Sequence, residues 1–167
     1  TEQEIESVIE ALDLVHILED QLTVHREDSE LVGINRRAAT ESVTVEKQLF
    51  ELLQSALDIH RTTSGAFDIT STPLSKVWGF FRRDGRVPGE VDLRQALGRV
   101  GSQHIRLDSQ RHTVHFERTG MELNLGGIGK GYALDRCAKV LQQNGTTDFL
   151  IHAGKSSVLA HGQRTSP

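Results

Sequence analysis

Residues 122–135 read Glu-Leu-Asn-Leu-Gly-Gly-Ile-Gly-Lys-Gly-Tyr-Ala-Leu-Asp, and this run holds more chemistry than any other in the chain. Its first four residues alternate polar and apolar as a strand does. Glycines then fall at 126, 127, 129 and 131, and a helical period continues to about residue 143. Glycine permits positive φ and close approach of the backbone to a ligand. The free N–H groups and dipole of a helix start favour phosphate. Two familiar loops are excluded by spacing. A Walker A loop needs Ser or Thr after its lysine, where Gly131 follows Lys130, and G-x-G-x-x-G does not fit G-G-x-G-x-G. From this loop by itself two readings stay open: a phosphate cradle, or a glycine-rich helix entry packed close to a neighbouring strand.

Other reactive residues point to less. The one cysteine, Cys137, sits among Ala133, Val140 and Leu141 at helical spacing, so it reads as a buried structural thiol and no intrachain disulfide exists. Of the eight histidines, His112 and His115 are three apart in an expected strand and therefore face opposite sides. Without H-E-x-x-H and with a single cysteine, zinc is not expected, and no G-x-S-x-G supports a serine triad.

The elements that must position these residues follow from periodicity. Apolar residues at three- and four-residue steps predict a helix over about 3–21, from Ile5 to Leu22, and another over about 45–63 with Thr44 as its N-cap. Residues 26–40 carry no clear period and read as a loop. Thr72-Pro73 predicts an N-cap and a helix to about residue 78, and 91–100 a further short helix. Strands are expected at 104–108, 112–117, 122–125, 149–153 and 157–160, and a long helix at about 128–143. Trp78 and Phe80 read as core. Helices and strands are largely segregated, which predicts an α+β fold of mixed helices and antiparallel strands. The 167 residues suggest one domain.

Composition bounds the rest. A net charge of −4, from 19 basic and 23 acidic residues, argues against a nucleic-acid binder. No apolar run approaches the roughly 20 residues of a membrane span. Residues 1–20 are acidic and amphipathic and do not read as a signal peptide. Because the chain starts at Thr1 and not Met, removal of one by processing stays open.

Three further segments join the glycine loop: Asp-Ser-Glu-Leu-Val-Gly-Ile-Asn at 28–35, Gly-Ala-Phe-Asp-Ile-Thr-Ser-Thr-Pro-Leu-Ser-Lys-Val-Trp-Gly-Phe at 65–80, and Phe-Leu-Ile-His-Ala-Gly at 149–154. In this order, with 124–135 before the last, they resemble the ApbE family, the FAD:protein FMN transferases once described as thiamine-biosynthesis lipoproteins. The resemblance covers nearly all of the chain. It implies an ApbE-like, T-fold-like domain, of which 1–167 would be the amino-terminal and middle portion. It also implies FAD as substrate, Mg²⁺, and transfer of FMN to a Thr or Ser of a target flavoprotein, with AMP leaving. A periplasmic or envelope-associated location is expected on the same ground.

Carried over residue by residue, Ala66, Phe67 and Asp68 match the family's flavin-contacting segment. Asn124 stands where an Asp usually binds the nucleotide, Lys130 beside the FAD, and His25 where an aromatic residue meets the isoalloxazine. Gly127 matches a carbonyl that helps ligate magnesium. Asn124, His25 and Lys155, the last in place of a second glycine after Ala-Gly, depart from the family pattern. So does the missing carboxy-terminal half, with its Ser/Thr-rich strand, His-x-x-Asp-Pro segment and metal-binding Asp and Thr. The chain is then a fragment, an incomplete chain or a reduced paralogue. Its reading is an FMN transferase portion or, alternatively, a flavin- or nucleotide-binding paralogue without transferase activity. A third reading is an interaction module that kept the fold and lost the ligand.

Overall fold

The computed structural model describes residues 2–163. Along the chain the elements are α1 (Glu2–Leu22), α2 (Glu30–Arg37), β1 (Val43–Thr44), α3 (Lys47–Thr62), α4 (Thr72–Val77), α5 (Glu90–Leu97), β2 (Ile105–Asp108), β3 (Thr113–Phe116), α6 (Gly129–Gln143), β4 (Phe149–Ala153) and β5 (Ser157–His161), with 3₁₀ turns at Phe80–Arg82 and Ser102–His104. The strand pairings among the described residues are antiparallel, so the class is α+β as expected. The residues fall into two compact units, Thr23–Leu125 and the described part of Thr1–Leu22 with Gly126–Pro167.

In Thr23–Leu125 a three-stranded sheet runs in the order β1-β3-β2, with Val43 opposite Val114 and Ile105 opposite Phe116. Val114 and Phe116 on β3 are at most 1 % exposed, as are Leu31, Ile34, Leu49 and Leu53 on α2 and α3. On α3, Leu49, Phe50, Leu52, Leu53 and Ala56 make the buried stripe that a 3.6-residue period requires. Its N-cap is Glu46, whose carboxylate accepts from the Gln48 and Leu49 N–H groups at 2.9 and 3.0 Å. The expected cap, Thr44, is taken up instead by β1, where it pairs with Thr113.

The expected loop at 26–40 contains α2. Ser29 caps it, its hydroxyl accepting from the Val32 N–H at 3.1 Å and donating to the Thr23 carbonyl at 2.6 Å. Only Leu31 and Ile34 are buried over eight residues, which is too short a stripe to announce a period. The α4 cap moves one residue back to Ser71. Thr72 is helical, and its hydroxyl is buried without a hydrogen-bond partner. Residues 122–125 alternate in burial as expected but join no sheet. The Leu123 N–H donates to Asn35 Oδ1 at 2.7 Å and the Asn35 amide donates back to the Leu123 carbonyl at 3.0 Å. The Asn124 N–H goes to the Ile69 carbonyl at 2.8 Å. One asparagine side chain thus replaces a strand partner.

The β2–β3 hairpin is turned by its own side chain: Asp108 Oδ1 accepts from the Gln110 and Arg111 N–H groups, and His112 adopts φ +49°. His112 is therefore a turn residue, its ring tilted against Phe50 at 5.2 Å, and not part of the strand that holds His115.

In the other unit α1 and α6 meet through small side chains. Ala11 is buried with Cys137 and Leu141, and Val140, Phe149 and Ile151 pack against them. The Cys137 thiol donates to the Ala11 carbonyl at 3.3 Å, and burial pushes it up, as a structural thiol requires. The β4–β5 hairpin pairs Phe149 with His161 and Ala153 with Ser157. Its turn uses Gly154 at φ +63°, so Lys155 is accommodated as an exposed residue. No described helix is long and apolar enough to cross a membrane.

Candidate functional site

The loop after α3 is shaped by its own backbone. Ser64 and Gly65 both take positive φ, and the Phe67 N–H donates to the Thr63 hydroxyl at 3.1 Å. This leaves Ala66 exposed and Phe67 and Asp68 half-buried. Asp68 is the centre of the polar chemistry here. Its Oδ1 accepts from the Thr70 N–H (2.7 Å), the Thr70 hydroxyl (2.5 Å) and the Ser102 hydroxyl (2.8 Å), and its Oδ2 from the Ser102 N–H (3.0 Å). His60 Nδ1 lies 2.9 Å from the Phe67 carbonyl and 3.3 Å from Asp68 Oδ2. Two acceptors at one ring nitrogen place the proton on Nδ1. Burial pushes the Asp68 carboxyl up, but the Thr70 and Ser102 donors together outweigh it and hold the group below the usual carboxylate value.

Asn124 belongs beside this loop, since its N–H is bonded to the carbonyl of Ile69, next to Asp68. The structure thus brings Ala66, Phe67, Asp68 and Asn124 together. His25 is exposed, its ring 5.3 Å from Phe81 in the same unit. The Lys76 ammonium sits 5.5 Å over the Phe81 ring and 2.5 Å from Glu122. Lys76, Gly79, Phe81, Asp84 and Arg86 line a cavity of about 520 Å³. Trp78 and Phe80, expected in the core, stack on each other at 6.2 Å with Phe80 65 % exposed. The reason is Gly79 at φ +74°, which breaks the helix between them and turns Phe80 outward.

In the other unit Gly127 is exposed in the turn before α6, and Lys130 is an exposed first-turn residue whose Nζ donates to the Ser156 hydroxyl at 3.1 Å. Ile128, at the cap position of α6, supplies no side-chain bond to the first N–H groups. For magnesium the donor set does not fit. It prefers six oxygens in near-octahedral array, and among the described residues no group of three His, Cys, Asp or Glu side chains could join the Gly127 carbonyl.

Sequence reasoning passed over His60, Thr70 and Ser102. Asp68 and Thr70 are two apart, a spacing that marks a local side-chain turn and was open to reading. Ser102, 34 residues away, carries no local signal.

Residues 1–167 match the ApbE family from end to end. The chain belongs to the ApbE family. It is 36 % identical over 141 residues to the FAD:protein FMN transferase of Klebsiella pneumoniae (strain 342), covering 84 % of this chain and 45 % of that relative. To the FAD:protein FMN transferase of Treponema pallidum (strain Nichols) it is 29 % identical over 150 residues, 87 % of this chain and 41 % of the relative. The apo form of the flavinyl transferase ApbE of Pseudomonas stutzeri matches with a TM-score of 0.87 and 26 % identity over 95 % of this chain and 49 % of that one. The ApbE protein of Thermotoga maritima matches with a TM-score of 0.80 and 26 % identity over 93 % and 48 %. This ApbE-family chain therefore spans somewhat under half the length of these relatives.

Proposed function

We propose that this chain is the FAD-binding portion of an FAD:protein FMN transferase. The observation that carries the reading is the bond between the Asn124 N–H and the Ile69 carbonyl, which sets two segments of the ApbE pattern side by side. Within Thr23–Leu125 the contacts proposed for FAD are His25, Ala66, Phe67 and Asn124. Within the other unit they are the glycine turn and Lys130, whose charge and helix-start position suit a pyrophosphate. In the proposed reaction a Thr or Ser hydroxyl oxygen of a target flavoprotein attacks the phosphorus of the FMN half. The new P–O bond forms as the bond to AMP breaks, the hydroxyl proton passes to solvent or base, and AMP leaves. Magnesium would neutralise phosphate charge in that step, but the described residues do not compose its site. A periplasmic or cell-envelope location is proposed from the resemblance and is read by fractionation of the host cell.

The poor magnesium donor set favours a second reading for residues 1–167 taken alone: flavin or nucleotide binding without transfer. The first experiment is fluorescence titration of the chain with FAD and of a competitor, ADP. Saturable FAD binding that weakens in Lys130→Ala supports the proposal. Immeasurable binding of both overturns it. The second experiment incubates FAD, Mg²⁺ and a Thr-containing acceptor peptide with the chain and weighs the peptide. No added FMN is expected from residues 1–167, and robust turnover would show that the magnesium site has been misjudged.

A further inference from the structure

A carboxylate offers about four lone-pair directions, and four donors already converge on Asp68, three at Oδ1 and one at Oδ2. Four donors from Thr70 and Ser102 reach it within 3.0 Å, and His60 Nδ1 approaches its second oxygen at 3.3 Å. The donors are themselves out of water, Thr70 being 0 % and Ser102 1 % exposed. The Thr70 hydroxyl, having given its proton to Asp68, accepts from the Gly101 N–H at 2.7 Å. Gly101 holds φ +134°, and a Cβ there would lie 2.6 Å from the Gln103 amide nitrogen, so the turn that delivers Ser102 is restricted to glycine. Three segments distant in sequence are thereby joined: the last turn of α3 through His60, the 66–70 loop, and the 101–102 turn.

A ligand that took over the Oδ1 bonds would leave a Thr70 or Ser102 donor buried and unpaired, which is costly. The Ala66 and Phe67 N–H groups donate to the Thr63 carbonyl and hydroxyl at 3.1 Å each, and the Phe67 carbonyl lies 2.9 Å from His60 Nδ1, so the backbone of this loop is fixed in direction. The geometry points to Asp68, with His60 and Ser102, as positioning residues that hold the Ala66–Phe67 backbone for the flavin while Asp68 itself makes no ligand contact. This rests on the proposed FAD reading and replaces the direct flavin contact that the resemblance implies for Asp68.

The test separates a contact from a positioner by using Ser102, which is reached only through Asp68. FAD and ADP dissociation constants are measured for the chain and for Ser102→Ala, Ser102→Thr, Thr70→Val and Asp68→Asn. Ser102→Ala and Thr70→Val should each weaken FAD about tenfold, the scale of one charge-assisted hydrogen bond. ADP, which lacks the flavin, should stay within about twofold, and Ser102→Thr, which keeps the hydroxyl, should restore FAD affinity. Asp68→Asn should lose more FAD affinity than either. If Ser102→Ala and Thr70→Val bind FAD as the parent does while Asp68→Asn fails, Asp68 is a contact and the inference is overturned. Equal loss of FAD and ADP affinity also overturns it, since that is general disruption. If the parent chain binds neither nucleotide, the functional reading fails. Amide hydrogen exchange then decides the positioning claim: Gly101, Thr70 and Ser102 should lose protection in Asp68→Asn with α3 unchanged, and unaltered protection overturns it.

Discussion

In Thr23–Leu125 the sheet, α2 and α3 bury Leu31, Ile34, Leu49, Leu53, Val114 and Phe116, and segments outside the sheet find side-chain partners for their backbone. Asn35 answers Leu123, Asp68 answers Thr70 and Ser102, and Glu46 and Ser29 answer helix starts. The other unit is organised differently. Ser7, Ala11 and Leu18 make the buried stripe of α1, while the neighbouring stripe of Ile5, Val8, Ile9, Leu12 and Val15 lies between 37 % and 63 % exposed. On the hairpin Phe149 and Ile151 pack inward and Leu150 and Val158 are 65 % and 67 % exposed. A two-stranded hairpin is marginal unless packed on one face. The contrast teaches that one unit rests on a wide buried core and the other on a narrow apolar stripe between α1 and α6.

The comparison is sharpened most by core truncation. Leu53→Ala or Phe116→Ala in Thr23–Leu125 should cost about 3–5 kcal/mol, read by urea denaturation, because the cavity adds to the lost burial. Leu12→Ala, on the exposed stripe of α1, should stay within about 0.5 kcal/mol. Equal costs would erase the distinction between the units. Next in size is Asn35→Ala. It strands both backbone groups of Leu123, and a loss on the order of 2 kcal/mol is expected in the same assay. A neutral result would mean that water replaces the asparagine. Smaller again is Ser29→Ala, with a loss of about 1 kcal/mol in the same denaturation series as one N-cap is removed.

The pH dependence of Asp68 comes last. Its folded carboxyl is held below the ordinary value of 3.8 by the Thr70 and Ser102 donors, so it is charged more readily folded than unfolded. Its contribution is then fully present above that value and lost as the pH falls through the folded value. The melting-temperature gap between the parent chain and Asp68→Asn should be widest near neutral pH and shrink below about pH 4. Beside it stands His60 on α3, which with Ser102, Arg61 and Arg106 lines a neighbouring cavity. A gap that does not change with pH would deny Asp68 this role.

How legible these features were depended on whether the signal was local. The long elements α1, α3 and α6 and the two hairpins follow from periodicity, because their buried stripes repeat over many residues. The short α2 does not, since two buried residues make no period and its cap alone marks it. Residues 122–125 show why alternation is insufficient. Burial on one face was right, yet the partner is an asparagine 88 residues away. In the candidate site the Ala66–Asp68 and Asn124 segments were identified by resemblance, and their adjacency is a tertiary fact. That Asp68 is consumed internally depends on Ser102, which lies in a separate turn.

The central claim is that FAD meets the Ala66–Phe67 backbone while the hydrogen bonds of Asp68 stay in place. Amide chemical shifts of the isotope-labelled chain, followed during titration with FAD and then ADP, test it most directly. The account predicts that FAD moves the Ala66 and Phe67 amides, that ADP leaves them unmoved, and that the Thr70 and Ser102 amides keep their protection from exchange. FAD bound with Ala66 and Phe67 unshifted, or with the Ser102 amide released as the carboxylate turns to the ligand, would contradict it.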